Sequence, residues 1–218
     1  EAAGAALAEA RAKRAAAPGI VPAGVPMVTM STTPDWKKLE ADERAAAVRV
    51  MQAYAGMATA MDREVGRLVA HLKAAGEYEN TIFVFLSDNG AEPTDPFNSL
   101  RNRLFLDMQY DLSTANIGRP GSFAAIGPGW ASAAASPLSG YKFSATEGGL
   151  RVPLIIAWPG HANIRAGAIS DGLAHVTDIL PTLTELAGVP GHGGSWRGRA
   201  VEPVTGRSLV PMLKGGSG

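Results

Sequence analysis

Cysteine is missing altogether from the 218 residues. Its absence excludes a disulfide framework and a thiolate metal site, and leaves the redox compartment open. Net charge is lacking too. Twenty Lys and Arg balance twenty Asp and Glu, so no bulk field draws the chain to nucleic acid or to an anionic membrane surface. No apolar run approaches the roughly 18 residues of a membrane span, and the first residues lack the basic, apolar, then small-residue order of a signal peptide. Neither nucleic acid nor a membrane is therefore expected as a partner. There is no initiator Met before Glu1-Ala2-Ala3, and the far end runs out in Lys214-Gly215-Gly216-Ser217-Gly218. Both ends read as cut, with 215–218 a flexible tail. What the chain does have is 26 Gly and 15 Pro, which make it loop-rich, and enough Val, Ile, Leu and Ala to fill a core.

The clearest stretch is Thr81-Ile82-Phe83-Val84-Phe85-Leu86-Ser87-Asp88-Asn89-Gly90. An unbroken run of β-formers that ends in turn residues predicts a fully buried strand. In open α/β sheets ligands collect beyond the carboxyl ends of such strands, where Asp88 and Asn89 stand side by side. A carboxylate and an amide oxygen are hard ligands of the kind that Ca²⁺ or Mg²⁺ prefers. Taken by itself, Asp-Asn-Gly is equally a plain turn.

Upstream, the Ala-, Glu- and Arg-rich segment 1–17 predicts a loosely docked helix, stopped by Pro18-Gly19 and followed by a linker to Pro34. Residues 1–34 thus form a lead-in. Thr33-Pro34-Asp35 is a helix-start signal ahead of Trp36. Val50, Tyr54, Met57, Met61, Val65, Leu68 and Leu72 recur at steps of three and four, the apolar stripe of a helix over 39–75 with Gly76 as its C-cap. Its methionines read as core filler. A long helix that runs within five residues into a strand is half of a βαβ unit and implies a parallel sheet.

Downstream, 91–140 reads as long ordered loop, Gly127-Pro128-Gly129-Trp130 included, with one short helix over 101–110. Pro153–Trp158 predicts a second buried strand. Val176–Leu186 predicts a second amphipathic helix, capped by Thr177 or Asp178, with Ile179, Leu180, Leu183 and Leu186 facing inward and Pro181 tolerated in the first turn. His71, His161, His175 and His192 read as surface or capping residues.

Three pieces in order carry a resemblance: Ser87-Asp88-Asn89-Gly90, then Tyr141-Lys142-Phe143-Ser144-Ala145-Thr146-Glu147-Gly148-Gly149-Leu150-Arg151-Val152-Pro153, then Asp178-Ile179-Leu180-Pro181-Thr182. Each falls at a strand or helix boundary. Together they resemble the type I sulfatases, the arylsulfatase branch of the alkaline phosphatase superfamily. The resemblance implies an α/β fold with a mixed, mainly parallel sheet flanked by helices, incomplete in this chain. It makes 35–214 the C-terminal half of a sulfatase catalytic domain. It implies hydrolysis of a small-molecule sulfate ester, with Asp88 and Asn89 as ligands of one Ca²⁺ and Lys142 touching the sulfate oxygens. The plain alternative for Lys142 is a solvated surface lysine, and Glu147 is expected to order the loop rather than do chemistry.

The family's nucleophile is a Cys or Ser in a Cys/Ser-x-Pro/Ala-x-Arg motif, converted to formylglycine. No such motif occurs here, nor does the family's first Asp-Asp metal pair, so the chain alone is expected to be inactive. Two other readings share these residues: a phosphodiesterase or phosphonate monoester hydrolase of the same superfamily, and a non-catalytic binding domain derived from a sulfatase. The phosphodiesterases commonly carry Asp-His where this chain has Asp88-Asn89, which favours sulfate. The compartment, bacterial periplasm or cytoplasm, stays open.

Overall fold

The computed structural model describes residues 3–28, 30, 33, 35–191 and 193–216. Glu1, Ala2, Pro34, His192, Ser217 and Gly218, which entered the expectations above, lie outside the described residues. The chain divides into two compact units, one of residues 1–76 and 84–156, the other of residues 77–83 and 157–218.

In the first unit, α1 (Ala3–Ala16) packs on α4 (Gly127–Ala135). Their contact, with the start of α2 (Ala41–Ala74), forms the core: Ala8, Trp130 and Ala133 are buried, with Leu7, Trp36, Ala47, Met51 and Ile126 packed around them. The Trp130 indole meets Trp36 edge-on at 5.4 Å between ring centres and donates its Nε1–H to the Ala47 carbonyl at 2.8 Å. Arg11 Nη1 reaches the Ala134 carbonyl at 3.3 Å. The first helix is thus docked, not loose. The helix over 127–135 replaces the loop expected there. Gly127 and Pro128 disguised it, yet Pro is at home in a first turn, and the Ala-rich run behind it has high helix propensity.

The helix α2 begins and ends where its sequence predicts. The Glu43 side chain accepts the Glu40 N–H at 2.8 Å, and Gly76 takes the left-handed conformation, φ 75°, that only glycine adopts cheaply. Asp35, not Thr33, caps the short turn before it, accepting Lys37 N–H at 3.0 Å. The stripe itself departs from expectation. Tyr54, Met57, Met61, Val65 and Leu68 are exposed, Met57 by 65%, so the methionines are not core filler here. Periodicity specifies which face seeks cover; it does not supply the cover.

The strands behave likewise. The pair β1 (Phe83–Leu86) and β2 (Leu154–Ala157) forms a two-stranded sheet. Phe85 and Leu86 are exposed, and Ile155 is 57% exposed, so neither strand is fully buried. An apolar strand reads as buried when both faces are covered, and two strands alone cannot arrange that. Between them, α3 (Leu100–Gln109) occupies the short helix expected, with the Ser99 hydroxyl at its N-cap, and α5 (Glu147–Leu150) makes one turn before β2.

In the second unit, a 3₁₀ turn at Val176–Asp178 leads into α6 (Ile179–Leu186), followed by the ribbon β3 (Ser195–Trp196) and β4 (Arg199–Ala200) and the turn α7 (Val210–Leu213). Polar groups staple it. The buried Asp178 carboxylate accepts the His175 N–H at 2.8 Å and the Arg207 N–H at 2.9 Å, which hold its carboxyl below the usual range. Thr182, 1% exposed, donates to the Asp178 carbonyl at 2.6 Å and accepts the Leu209 N–H at 2.8 Å. Ile179, Leu183 and Leu186 are half-buried as expected, but Leu180 is exposed. The stripe is one residue narrower because Thr182 takes the inner position. Thr182→Val keeps the shape and strands the buried Leu209 N–H. It should cost about 1–3 kcal/mol in urea unfolding, and Thr182→Ser should recover most of that.

Candidate functional site

The strand β1 ends at Leu86, and the backbone turns at once through Ser87, Asp88, Asn89 and Gly90. The Ser87 hydroxyl donates to the Asn89 carbonyl at 2.8 Å, and Asn89 Nδ2 donates to the Gly90 carbonyl at 2.9 Å. That second bond fixes the amide so that its Oδ1 is left for another partner. Asp88 is exposed, its carboxylate accepting no hydrogen bond among the described residues.

Glycines bring this turn against the Lys142 loop. The Gly90 N–H donates to the Gly149 carbonyl at 3.0 Å. A Cβ on Gly90 would collide with the Gly148 carbonyl oxygen, and a Cβ on Gly148 would collide in turn with the Gly140 carbonyl. Gly149 is equally confined, since a Cβ there would strike the Ser144 carbonyl. Glu147-Gly148-Gly149 is therefore a packing device in which backbone rests on backbone. The Glu147 carboxylate itself pairs loosely with Arg151 at 3.4 Å, both exposed, which suits a loop-ordering role and no more.

Lys142 closes the arrangement. Its N–H donates to the Ala91 carbonyl at 3.0 Å, placing it beside the residues that follow the Asp-Asn-Gly turn. Its ammonium lies 2.7 Å from Glu92 Oε2 and 5.2 Å from the centre of the Phe143 ring, within cation–π range. Phe143 itself sits at φ 72°, in the left-handed region, where a bulky side chain is costly and strain often marks a working loop. The ion pair with Glu92, and the nearby Asp88 charge, raise the Lys142 amine above its ordinary range. Glu92 is drawn down to about 2, chiefly by Lys142 and then by the Thr94 hydroxyl. Both groups stay charged throughout the neutral range.

The sequence reading missed Glu92. Its only signal was position, an acid three residues beyond Asn89 in Ala91-Glu92-Pro93. Among the histidines, His175 caps the 3₁₀ turn, its ring accepting the Thr177 N–H. His161 stacks near Trp158 at 4.6 Å, and His71 lies exposed in the last turn of α2. A shallow hollow lined by Arg49, Gln52, Ala53, Ile117 and Gly118 includes none of Asp88, Asn89 and Lys142.

For a cation, Asp88 and Asn89 offer oxygens of the right hardness on adjacent residues. Ca²⁺ takes six to eight oxygens, and no group of three or more His, Cys, Asp or Glu suited to a metal occurs among the described residues. The pair fits as part of a shell, not as a whole one.

Comparison with known proteins agrees with the three motifs. The family model described as Sulfatase matches residues 14–189. This chain belongs to the sulfatase family. It is 36% identical over 200 residues to an arylsulfatase of Klebsiella aerogenes, covering 91% of this chain and 42% of that protein. It is 39% identical over 199 residues to an uncharacterized sulfatase of Schizosaccharomyces pombe, covering 88% of this chain and 35% of that protein. A multifunctional alkaline phosphatase superfamily protein of Trinickia caryophylli is 26% identical over 170 residues. The sulfatase chain thus spans between a third and a half of the length of these first two relatives, and its family carries the alkaline phosphatase-like α/β fold. No helix among its described residues is long and apolar enough to cross a membrane.

Proposed function

We propose that this chain supplies the second half of a sulfatase catalytic domain, over 35–214 after a lead-in of 1–34, and that the whole hydrolyses small-molecule sulfate esters of the arylsulfatase type. The observation that carries the reading is the meeting of Lys142 with the Asp88-Asn89 turn, through the Lys142 N–H to Ala91 bond and the glycine contacts behind it. An ammonium beside an unengaged carboxylate and amide oxygen provides one cationic contact and two ligands for a second cation. An anionic ester calls for both.

In this reading Lys142 binds the non-bridging oxygens of the ester and steadies them as their charge grows in the transition state. Asp88 and Asn89 Oδ1 would hold Ca²⁺ as part of its oxygen shell, and the ion when bound supplies Lewis-acid polarisation of the sulfate group. The nucleophile, a formylglycine, belongs to a motif that this sequence does not contain. The chain alone therefore turns over no ester. A mainly parallel sheet, extending the β1–β2 pair, completes the proposed architecture.

The test is the full gene product assayed on 4-nitrophenyl sulfate and on 4-nitrophenyl phosphate diesters. A Cys/Ser-x-Pro/Ala-x-Arg motif in that product, with faster sulfate turnover, supports the reading. Faster diester turnover favours the phosphodiesterase alternative, which the 26% identity to the Trinickia protein keeps in view. Absence of motif and turnover together would leave a sulfatase-derived binding domain.

A further inference from the structure

The Lys142 ammonium is not held by the Asp88-Asn89 turn itself. Its partner is Glu92 Oε2 at 2.7 Å, and Glu92 is in turn anchored. The Glu92 Oε1 accepts the Thr94 N–H at 2.9 Å and the Thr94 hydroxyl as well. One carboxylate thus takes three donors, two of them from a residue only two positions on. A lysine on a flexible four-carbon stem has rotamer freedom to lose before it can present a point charge. A carboxylate pinned at its other oxygen removes much of that freedom. An ammonium has three N–H donors, so a single bond to Glu92 leaves two for an anion.

We infer that Glu92, braced by Thr94, is a positioning residue: it holds the Lys142 ammonium beside the Asp88-Asn89 turn and leaves its other two N–H donors for the substrate anion. The inference rests on the proposed role of Lys142. It goes beyond it by assigning function to Glu92 and Thr94, which do not touch the ester. The Phe143 ring, 5.2 Å from Nζ, bounds the ammonium on another side. Because Lys142 keeps the positive charge and Glu92 the negative one, Glu92→Gln keeps size and hydrogen-bonding oxygen while removing the charge. Glu92→Asp keeps the charge on a shorter stem.

Two measurements separate this inference from the reading beneath it. The first uses the chain as it is: trace acetylation of Lys142 with acetic anhydride, read by peptide mass spectrometry. Glu92→Gln should label Lys142 severalfold faster than the unaltered chain, Glu92→Asp should fall between them, and Thr94→Val should follow Glu92→Gln in direction. The second uses the full gene product on 4-nitrophenyl sulfate. There Glu92→Gln should lower kcat roughly tenfold, the effect of one charge-assisted contact, with a smaller change in KM and partial rescue by Glu92→Asp. Unchanged labelling in Glu92→Gln overturns the inference whatever the kinetics. Faster labelling with unaltered kcat, in an enzyme that Lys142→Ala disables, also overturns it. If Lys142→Ala leaves turnover intact, or no turnover exists, the reading of Lys142 fails first and the assignment of Glu92 falls with it.

Discussion

Lys142→Ala in the full gene product should reduce kcat/KM by about a hundredfold to a thousandfold, with little change in melting temperature. Losing one preorganised contact to a developing oxyanion typically costs about 2.7–4 kcal/mol. The stability effect should be small, because the Lys142 side chain is 32% exposed and its partner Glu92 43%, and exposed pairs contribute about 0–1 kcal/mol. Lys142→Arg should rescue little, since a planar fork cannot place a point charge in the same spot. Kinetics of Lys142→Ala matching the unaltered enzyme would return Lys142 to the solvated surface lysine of the plain alternative.

The second large effect lies in the core. Trp130→Ala should destabilise the chain by about 3–5 kcal/mol, the range for removing a large buried aromatic. The ring is 6% exposed, meets Trp36, and fills the junction of α1, α4 and the start of α2. Its removal also strands the Ala47 carbonyl. Trp130→Phe keeps most of the ring and deletes only the Nε1–H bond, so it should cost nearer to 1 kcal/mol. Set against a usual total of about 5–15 kcal/mol, the alanine variant should shift the urea midpoint sharply. A midpoint within error of the unaltered chain would mean that α1 and α4 do not form the stabilising core.

How far the sequence could be read depended on how local the relevant physics is. The 41–74 helix was legible to within two residues, because its ends rest on Glu40, Glu43 and Gly76, all inside the segment. The helix over 127–135 was not, because its first residues, Gly127 and Pro128, are also turn residues, and its stabilisation comes from Ala8 and Trp36 far away in the chain. The exposed stripe of Tyr54 to Leu68 and the half-covered strands mark the same limit from the other side. Their patterns call for neighbours, and the matched relatives are more than twice the length of this chain.

The sequence by itself determined the family, through three motifs in order, and which residue types stand at the end of β1: an exposed carboxylate, an amide and a glycine. It also determined that this chain holds no cysteine nucleophile. Only the tertiary structure decided what Lys142 touches. Fifty residues separate Lys142 from Glu92, and no periodicity or turn rule links them. They meet because Gly90, Gly148 and Gly149 let two backbones lie closer than any side chain would permit, which brings the Lys142 N–H to the Ala91 carbonyl and the ammonium to the carboxylate next door.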